Sequence, residues 1–160
     1  MSQEIERKFL VRGEDWRVTG TGTPYRQGYL STSPERSVRI RLARDKGTLT
    51  IKGITVGATR AEYEYEIPAG EACEMLDNLC ERPLIEKTRY RVEHQGLTWE
   101  VDEFDGDNAG LVIAEVELDE EGQVIMLPGW VGKEVTGDPR YYNASLIADP
   151  YTSWPLTDSQ

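Results

Sequence analysis

Cysteine and histidine are almost missing, with two cysteines and one histidine in 160 residues. Cys73 and Cys80 fall in a stretch that reads as helix, which sets them about 10 Å apart along its axis, too far for a disulfide. His94 is remote from both thiols and stands beside the hairpin signal "QG", so it reads as a surface turn residue, and no zinc-type nitrogen and sulfur set exists. Metal chemistry is left to carboxylates. Long apolar runs are lacking too: nothing spans a bilayer, and Met1 to Leu10 has no basic segment followed by an apolar one, so a cytoplasmic location is expected. Basic residues are in deficit, 18 Lys and Arg against 29 Asp and Glu, giving a net charge of −11. That balance disfavours sequence-independent binding of nucleic acid or anionic membrane, and any anionic ligand has to meet a local basic patch. The four tryptophans, Trp16, Trp99, Trp130 and Trp154, are scattered and form no stacking platform. No phosphate loop of the GxxxxGK[ST] type occurs, and no GxGxxG joins a strand to a helix. There is no internal repeat or low-complexity linker, and the length fits one domain over residues 1–150, with 151–160 expected as a surface tail.

What is present is alternation. Short segments with period-two patterning recur at about residues 3–11, 25–32, 36–44, 47–53, 60–67, 86–94, 97–103 and 111–119, parted by "STSPE", "RDKG", "HQG" and "FDGDNAG". A mainly antiparallel β protein of the α+β kind is expected. Three stretches read as helix: "GEACEMLDNLC", the short "DEEGQVIM", and "DPRYYNASLIAD", in which Asp138 caps and Pro139 takes the first helical position.

One face of most strands is charged. In "EIERKFL", Glu4, Glu6 and Lys8 share a side, opposite Ile5 and Phe9. Arg39 and Arg41 share a side in "SVRIRLA", Lys52 continues it in "LTIKG", and Lys87, Arg89 and Arg91 do so in "EKTRYRV". Acids line up as Glu62, Glu64 and Glu66, as Glu100 and Asp102, and as Glu115, Glu117 and Asp119. Period alone leaves two arrangements open. A sandwich would bury the apolar faces and leave the charges in water; a closed barrel would line its interior with the charges and cover its apolar exterior with helices. Two features favour the barrel: Asp and Glu are poor strand residues, and like charges along one face repel unless opposite partners stand nearby. A lumen of carboxylates with Arg and Lys suits a hard cation together with phosphate oxygens, a metal-bound oligophosphate.

These residues carry a resemblance. Glu4-Ile5-Glu6-Arg7-Lys8 is an ExExK motif, and with "RQGYL", "RIRL", "TIKG", "EYEYEI", "EKTRY", "EVDEF", "AEVEL" and "GKEVTGDPRYYNASL" the chain resembles, over nearly its whole length, the CYTH superfamily of triphosphate tunnel metalloenzymes. It looks most similar to the short bacterial single-domain members. The resemblance implies an eight-stranded antiparallel closed barrel, a tunnel with a charged lumen and a few covering helices, and so settles the face question. It also implies that Glu4, Glu6, Glu115 and Glu117 bind Mg²⁺ or Mn²⁺, with Glu62, Glu64, Glu100 and Asp102 as supporting lumen acids. Lys8, Arg39, Arg41, Lys52, Lys87 and Arg89 match the phosphate-binding residues, and Lys133 is a further candidate. Arg91 and Glu66 would lie toward the mouth, and Asp119 at a solvated strand end.

The function so implied is metal-dependent hydrolysis of a triphosphate, with inorganic tripolyphosphate as the favoured small-molecule substrate. In some members a motif lysine and a tyrosine act together on the water, which maps onto Lys8 and Tyr29; the alternative is that Lys8 only clamps phosphate and Tyr29 packs. Hydrolysis of nucleoside or thiamine triphosphate, a class IV adenylyl cyclase making cyclic AMP from ATP, and a non-catalytic polyphosphate-binding module stand as other readings. A monomer or a homodimer is compatible with the sequence.

Overall fold

A computed structural model of the chain describes residues 3–19 and 21–155. Nine strands form: β1 (Gln3–Val11), β2 (Thr23–Ser31), β3 (Ser37–Ala43), β4 (Lys46–Lys52), β5 (Thr59–Ile67), β6 (Ile85–His94), β7 (Leu97–Phe104), β8 (Val112–Glu117) and β9 (Val131–Glu134). Their order is β5-β4-β3-β2-β6-β7-β8-β1-β9, all antiparallel, and β1 also pairs with β5 through Glu4 opposite Arg60. That second pairing closes eight strands into a barrel. Hairpins do much of the local work: Gln95 and Gly96 both adopt positive φ, 50° and 79°, the conformation that matches a tight turn to the twist of β6 and β7.

Seven of the eight barrel strands turn a charged row inward, β2 turning Tyr25, Gln27 and Tyr29 inward instead, and the main hydrophobic core lies outside the barrel. Phe9, Val92, Trp99, Val101, Ala114 and Val116 form the outer face of β1, β6, β7 and β8, covered by Trp16 of a 3-10 helix (Asp15–Thr19) and by Trp130 and Ile125. Helix α1 (Ala69–Asn78) covers β3 and β4 with Ala72 and Leu76 against Ile40, Leu42 and Leu49. It sits so close that a Cβ at Gly47 would meet the Ala72 Cβ at 2.8 Å. The outer face of β5 is not covered: Tyr63 and Tyr65 are exposed.

Farther along, the inward rows lose their charge. Leu10, Tyr29, Ile85, Phe104 and Ile113 make an apolar end to the lumen, stoppered by Tyr141 and by Leu146 and Ile147 of α2 (Ser145–Ala148). Tyr151 and Trp154 pack at its rim, with the Tyr151 backbone N–H donating to Asn108 at 2.9 Å. Residues 151–155, set apart from the domain by the sequence reading, are thus joined to it here; residues 156–160 of that expected tail, and residues 1–2 of the expected domain, lie outside the described residues.

One strand is added and two helix expectations are corrected. The four-residue β9 is too short to show alternation, yet it pairs along β1 through Phe9 and Val11. "DEEGQVIM" is not helical: Gly122 takes φ 81°, and Val124 and Met126 are exposed rather than turned onto a common buried face. "DPRYYNASLIAD" does not form one helix. Asp138 caps as expected, accepting from the Arg140 backbone N–H, but the 3-10 helix Pro139–Tyr141 ends at an extended Tyr142 before α2 begins. Among the described residues no helix is long and apolar enough to cross a membrane.

Candidate active site

Strand alternation aims the charged rows into one cavity of about 520 Å³. Glu4, Glu6 and Lys8 reach it from β1, Arg39 and Arg41 from β3, Lys52 from β4, and Glu62 and Glu64 from β5. Lys87, Arg89 and Arg91 reach it from β6, Glu100 from β7, and Glu115 and Glu117 from β8, while Tyr29 lines it from β2. Asp102 stands behind this lining, fully buried, and holds the cations in front of it. Glu66 and Asp119 are exposed and outside the cavity. Lys133 is not among the residues lining the cavity: it lies on β9, which pairs with β1 through Phe9 and Val11, and it is exposed.

The cations divide into two groups. On β6, the Arg89 guanidinium grips Asp102 with two bonds of 2.7 and 2.8 Å and reaches Glu100 at 3.1 Å. Lys87 donates to the same Asp102 at 2.7 Å. Lys52 lies 2.9 Å from Glu4, and Lys8 lies 3.4 Å from Glu115. Arg39 and Arg41 of β3 are held differently. Arg39 donates to the Thr50 hydroxyl at 3.3 Å, only reaches Glu64 at 4.0 Å, and leaves its Nε buried without a partner. Arg41 donates to the Gln27 carbonyl oxygen at 3.4 Å and lies over the Tyr25 ring, 4.8 Å from its centroid. Among the described residues no carboxylate lies within ion-pair distance of Arg41.

Proton affinities reflect burial set against these partners. Burial pushes the Asp102 carboxyl up, but Arg89 and Lys87 outweigh it and hold it well below the usual carboxylate range. Glu115, likewise buried, is drawn down to about 2 by Lys8 and Arg89. Burial pulls Lys87 down to about 7. Burial also lowers Arg41 to about 10, helped by the like charges of Arg39 and Arg89. Lys8 moves the other way, since Glu115 and Glu6 outweigh its burial and keep it an ammonium. Glu6 is pushed up to about 8 by burial and by Glu115 and Glu4, and burial with Glu4 raises Glu117.

The acids of β1 and β8 supply oxygen donors suited to a hard divalent ion. Glu6 and Glu117 are cross-strand partners, and the crowding that pushes Glu6 up is what a bound cation would relieve. Among the described residues no three such side chains already converge as a closed cage.

Sequence reasoning passed over several lining residues. Arg60 shares parity with Glu62 and Glu64 and lies in the same cavity, so the alternation that found the acids also carried it. Gln27, which is fully buried behind the lining rather than part of it, shares parity with Tyr29. Tyr142 and Asn143 had no such signal, because they enter from an irregular segment; Lys8 Nζ lies 5.4 Å from the Tyr142 ring centroid, and Asn143 accepts from Lys87 at 2.8 Å.

Comparison with known proteins adds the following. The family model described as the CYTH domain matches residues 2–151. An inorganic triphosphatase of Acetivibrio thermocellus is 54% identical over 154 residues, covering 96% of this chain and 99% of its own. An inorganic triphosphatase of Nitrosomonas europaea is 41% identical over 153 residues, covering 89% of this chain and 95% of its own. A solved crystal structure of an inorganic triphosphatase superposes with a TM-score of 0.64 at 35% identity, covering 94% of this chain and 99% of that one.

Proposed function

We propose, from the premise that this chain belongs to the CYTH domain family, that it is a triphosphatase whose substrate is inorganic tripolyphosphate. The observation that carries the reading is the pair Arg39 and Arg41, of which Arg39 meets a carboxylate only at 4.0 Å and Arg41 meets none within ion-pair distance among the described residues, facing a cavity that also holds paired cations and a cluster of acids. A polyanion supplies the negative charge that β3 lacks. Charged side chains line the cavity from seven of the eight barrel strands, which matches a substrate that is phosphate on every side better than one with an apolar half.

In this reading Arg39, Arg41, Lys52, Lys87, Arg89 and Lys8 bind and orient the phosphates. Glu4, Glu6, Glu115 and Glu117 are the residues that would hold a divalent ion, Mg²⁺ or Mn²⁺. When bound, that ion neutralises charge on the phosphoryl oxygens. Glu62, Glu64, Glu100 and Asp102 orient the cations. Water attacks the terminal phosphorus, the phosphoanhydride bond breaks, and pyrophosphate leaves with orthophosphate as the other product. Lys8, kept charged by Glu115 and Glu6, acts as a clamp and a source of positive charge rather than as the base. Tyr29 lines the cavity, and its part in water activation is tested by the basic limb of the pH–rate profile in Tyr29→Phe. The small-molecule substrate and the acidic surface fit a cytoplasmic enzyme.

Phosphate release from tripolyphosphate, ATP and thiamine triphosphate, with Mg²⁺, Mn²⁺ or EDTA, tests the proposal in native protein and Glu4→Gln. Metal-dependent release from tripolyphosphate, lost in the variant, is expected. Cyclic AMP from ATP without phosphate release from tripolyphosphate would sink it.

A further inference from the structure

Gln27 is a neutral side chain, wholly buried behind the charged lining of the lumen. Its Oε1 accepts from Arg41 Nε at 3.4 Å, while its Nε2 donates at 2.8 Å to Asn143 Oδ1. Asn143 Oδ1 also accepts from Lys87 at 2.8 Å, so this one oxygen meets two donors. That fixes the amide. With its NH₂ end drawn to Asn143, Gln27 must turn its oxygen to Arg41; the reverse orientation would set donor against donor at one end and acceptor against acceptor at the other. The Tyr25 ring supports the same guanidinium, at 4.8 Å from its centroid, and Arg89 at 4.9 Å. Arg41 is therefore oriented by an amide oxygen and a ring, neither of which carries charge.

We propose that Gln27, together with Tyr25, is a positioning residue that holds Arg41 in place without neutralising it, so that its charge is available to the triphosphate. A carboxylate at this place would form an ion pair with Arg41 that the substrate must break, and it would lose the donor that meets Asn143 Oδ1. The inference rests on the reading of the cavity as a triphosphate site.

The test is steady-state phosphate release from tripolyphosphate with Mg²⁺ for the native protein, Gln27→Glu, Arg41→Met and the double variant, with far-UV circular dichroism to follow the fold. Gln27→Glu should raise KM about tenfold or more, the scale of one charge-assisted contact, and leave kcat little changed, since binding shared by ground and transition state is what is lost. In the Arg41→Met background the same change should have little further effect, because the group it acts through is gone. Tyr25→Phe should keep the native KM and Tyr25→Leu should raise it. A native KM in Gln27→Glu overturns the inference alone. So does an equal rise with and without Arg41, which would mean direct repulsion of the substrate. If Gln27→Glu does not fold, the Tyr25 pair decides, and a native KM in Tyr25→Leu overturns it. A native protein inactive on tripolyphosphate overturns the functional reading and this inference with it.

Discussion

The lumen has two kinds of wall. On β6, Lys87 and Arg89 are locked onto Asp102, and Arg89 reaches Glu100 besides. On β3, Arg39 and Arg41 are held by a threonine, a glutamine and an aromatic ring, with one carboxylate, Glu64, at the 4.0 Å limit of an ion pair to Arg39. Both walls are basic by sequence, yet only one is neutralised. The difference teaches what a cation in a binding tunnel is for. A paired, buried cation shapes the wall and persists whether or not a ligand is present, whereas an unneutralised one raises the energy of the empty site and lowers that of the filled one.

Substitutions should separate the two. Asp102→Ala would leave Lys87 without its buried carboxylate and Arg89 with Glu100 and Glu115 alone, and breaking a buried pair this way costs about 3–5 kcal/mol; chemical denaturation should show a loss of that size. Arg41→Met should act oppositely. Its denaturation midpoint should hold or rise slightly, since removing like charge beside Arg39 and Arg89 relieves repulsion, while kcat/KM for tripolyphosphate falls by about 100-fold or more. If Arg41→Met unfolded the protein as readily as Asp102→Ala, the distinction between the walls would be lost.

A smaller effect should appear with pH. The Asp102 carboxyl is pushed up by burial but brought well below its ordinary value by Arg89 and Lys87. A carboxyl lowered in the folded state stabilises it fully above the unfolded value of about 4, and that stabilisation fades as pH falls further. Native protein should therefore lose stability steeply below about pH 4, and Asp102→Asn should show a shallower slope there. The smallest effect belongs outside the barrel. Arg7 forms a two-bond pair with Glu134 at 2.8 and 2.9 Å, but both side chains are partly in water. Glu134→Gln should change stability by about 1 kcal/mol or less, and a larger change would put this outer pair on a par with the buried ones.

Much of this was legible in the sequence, for a reason that also sets the limit. Alternation assigns each residue of a strand to one of two faces, so β1 to β8 and the inward residues Glu4, Lys8, Arg39, Glu62, Lys87 and Glu115 follow from parity once one face is known to be inside. Parity does not say which face that is; the resemblance supplied it. Parity also says nothing of partners. That Arg89 meets Asp102 while Arg41 meets Gln27 depends on register between strands distant in sequence. Irregular segments carry no parity at all, which is why Tyr142 and Asn143, which line the cavity, give no signal in the sequence.

The core of this protein lies outside its barrel, so each strand carries two instructions in alternate positions, one for packing and one for chemistry. Single substitutions can edit one instruction and leave the other untouched. A one-residue insertion or deletion within a strand cannot, because beyond that point it exchanges the two, sending Trp99 or Ile40 into the lumen as it turns acids and arginines outward. Changes of length are therefore confined to the turns, while changes of letter within the strands let substrate preference drift on a frame of constant dimensions.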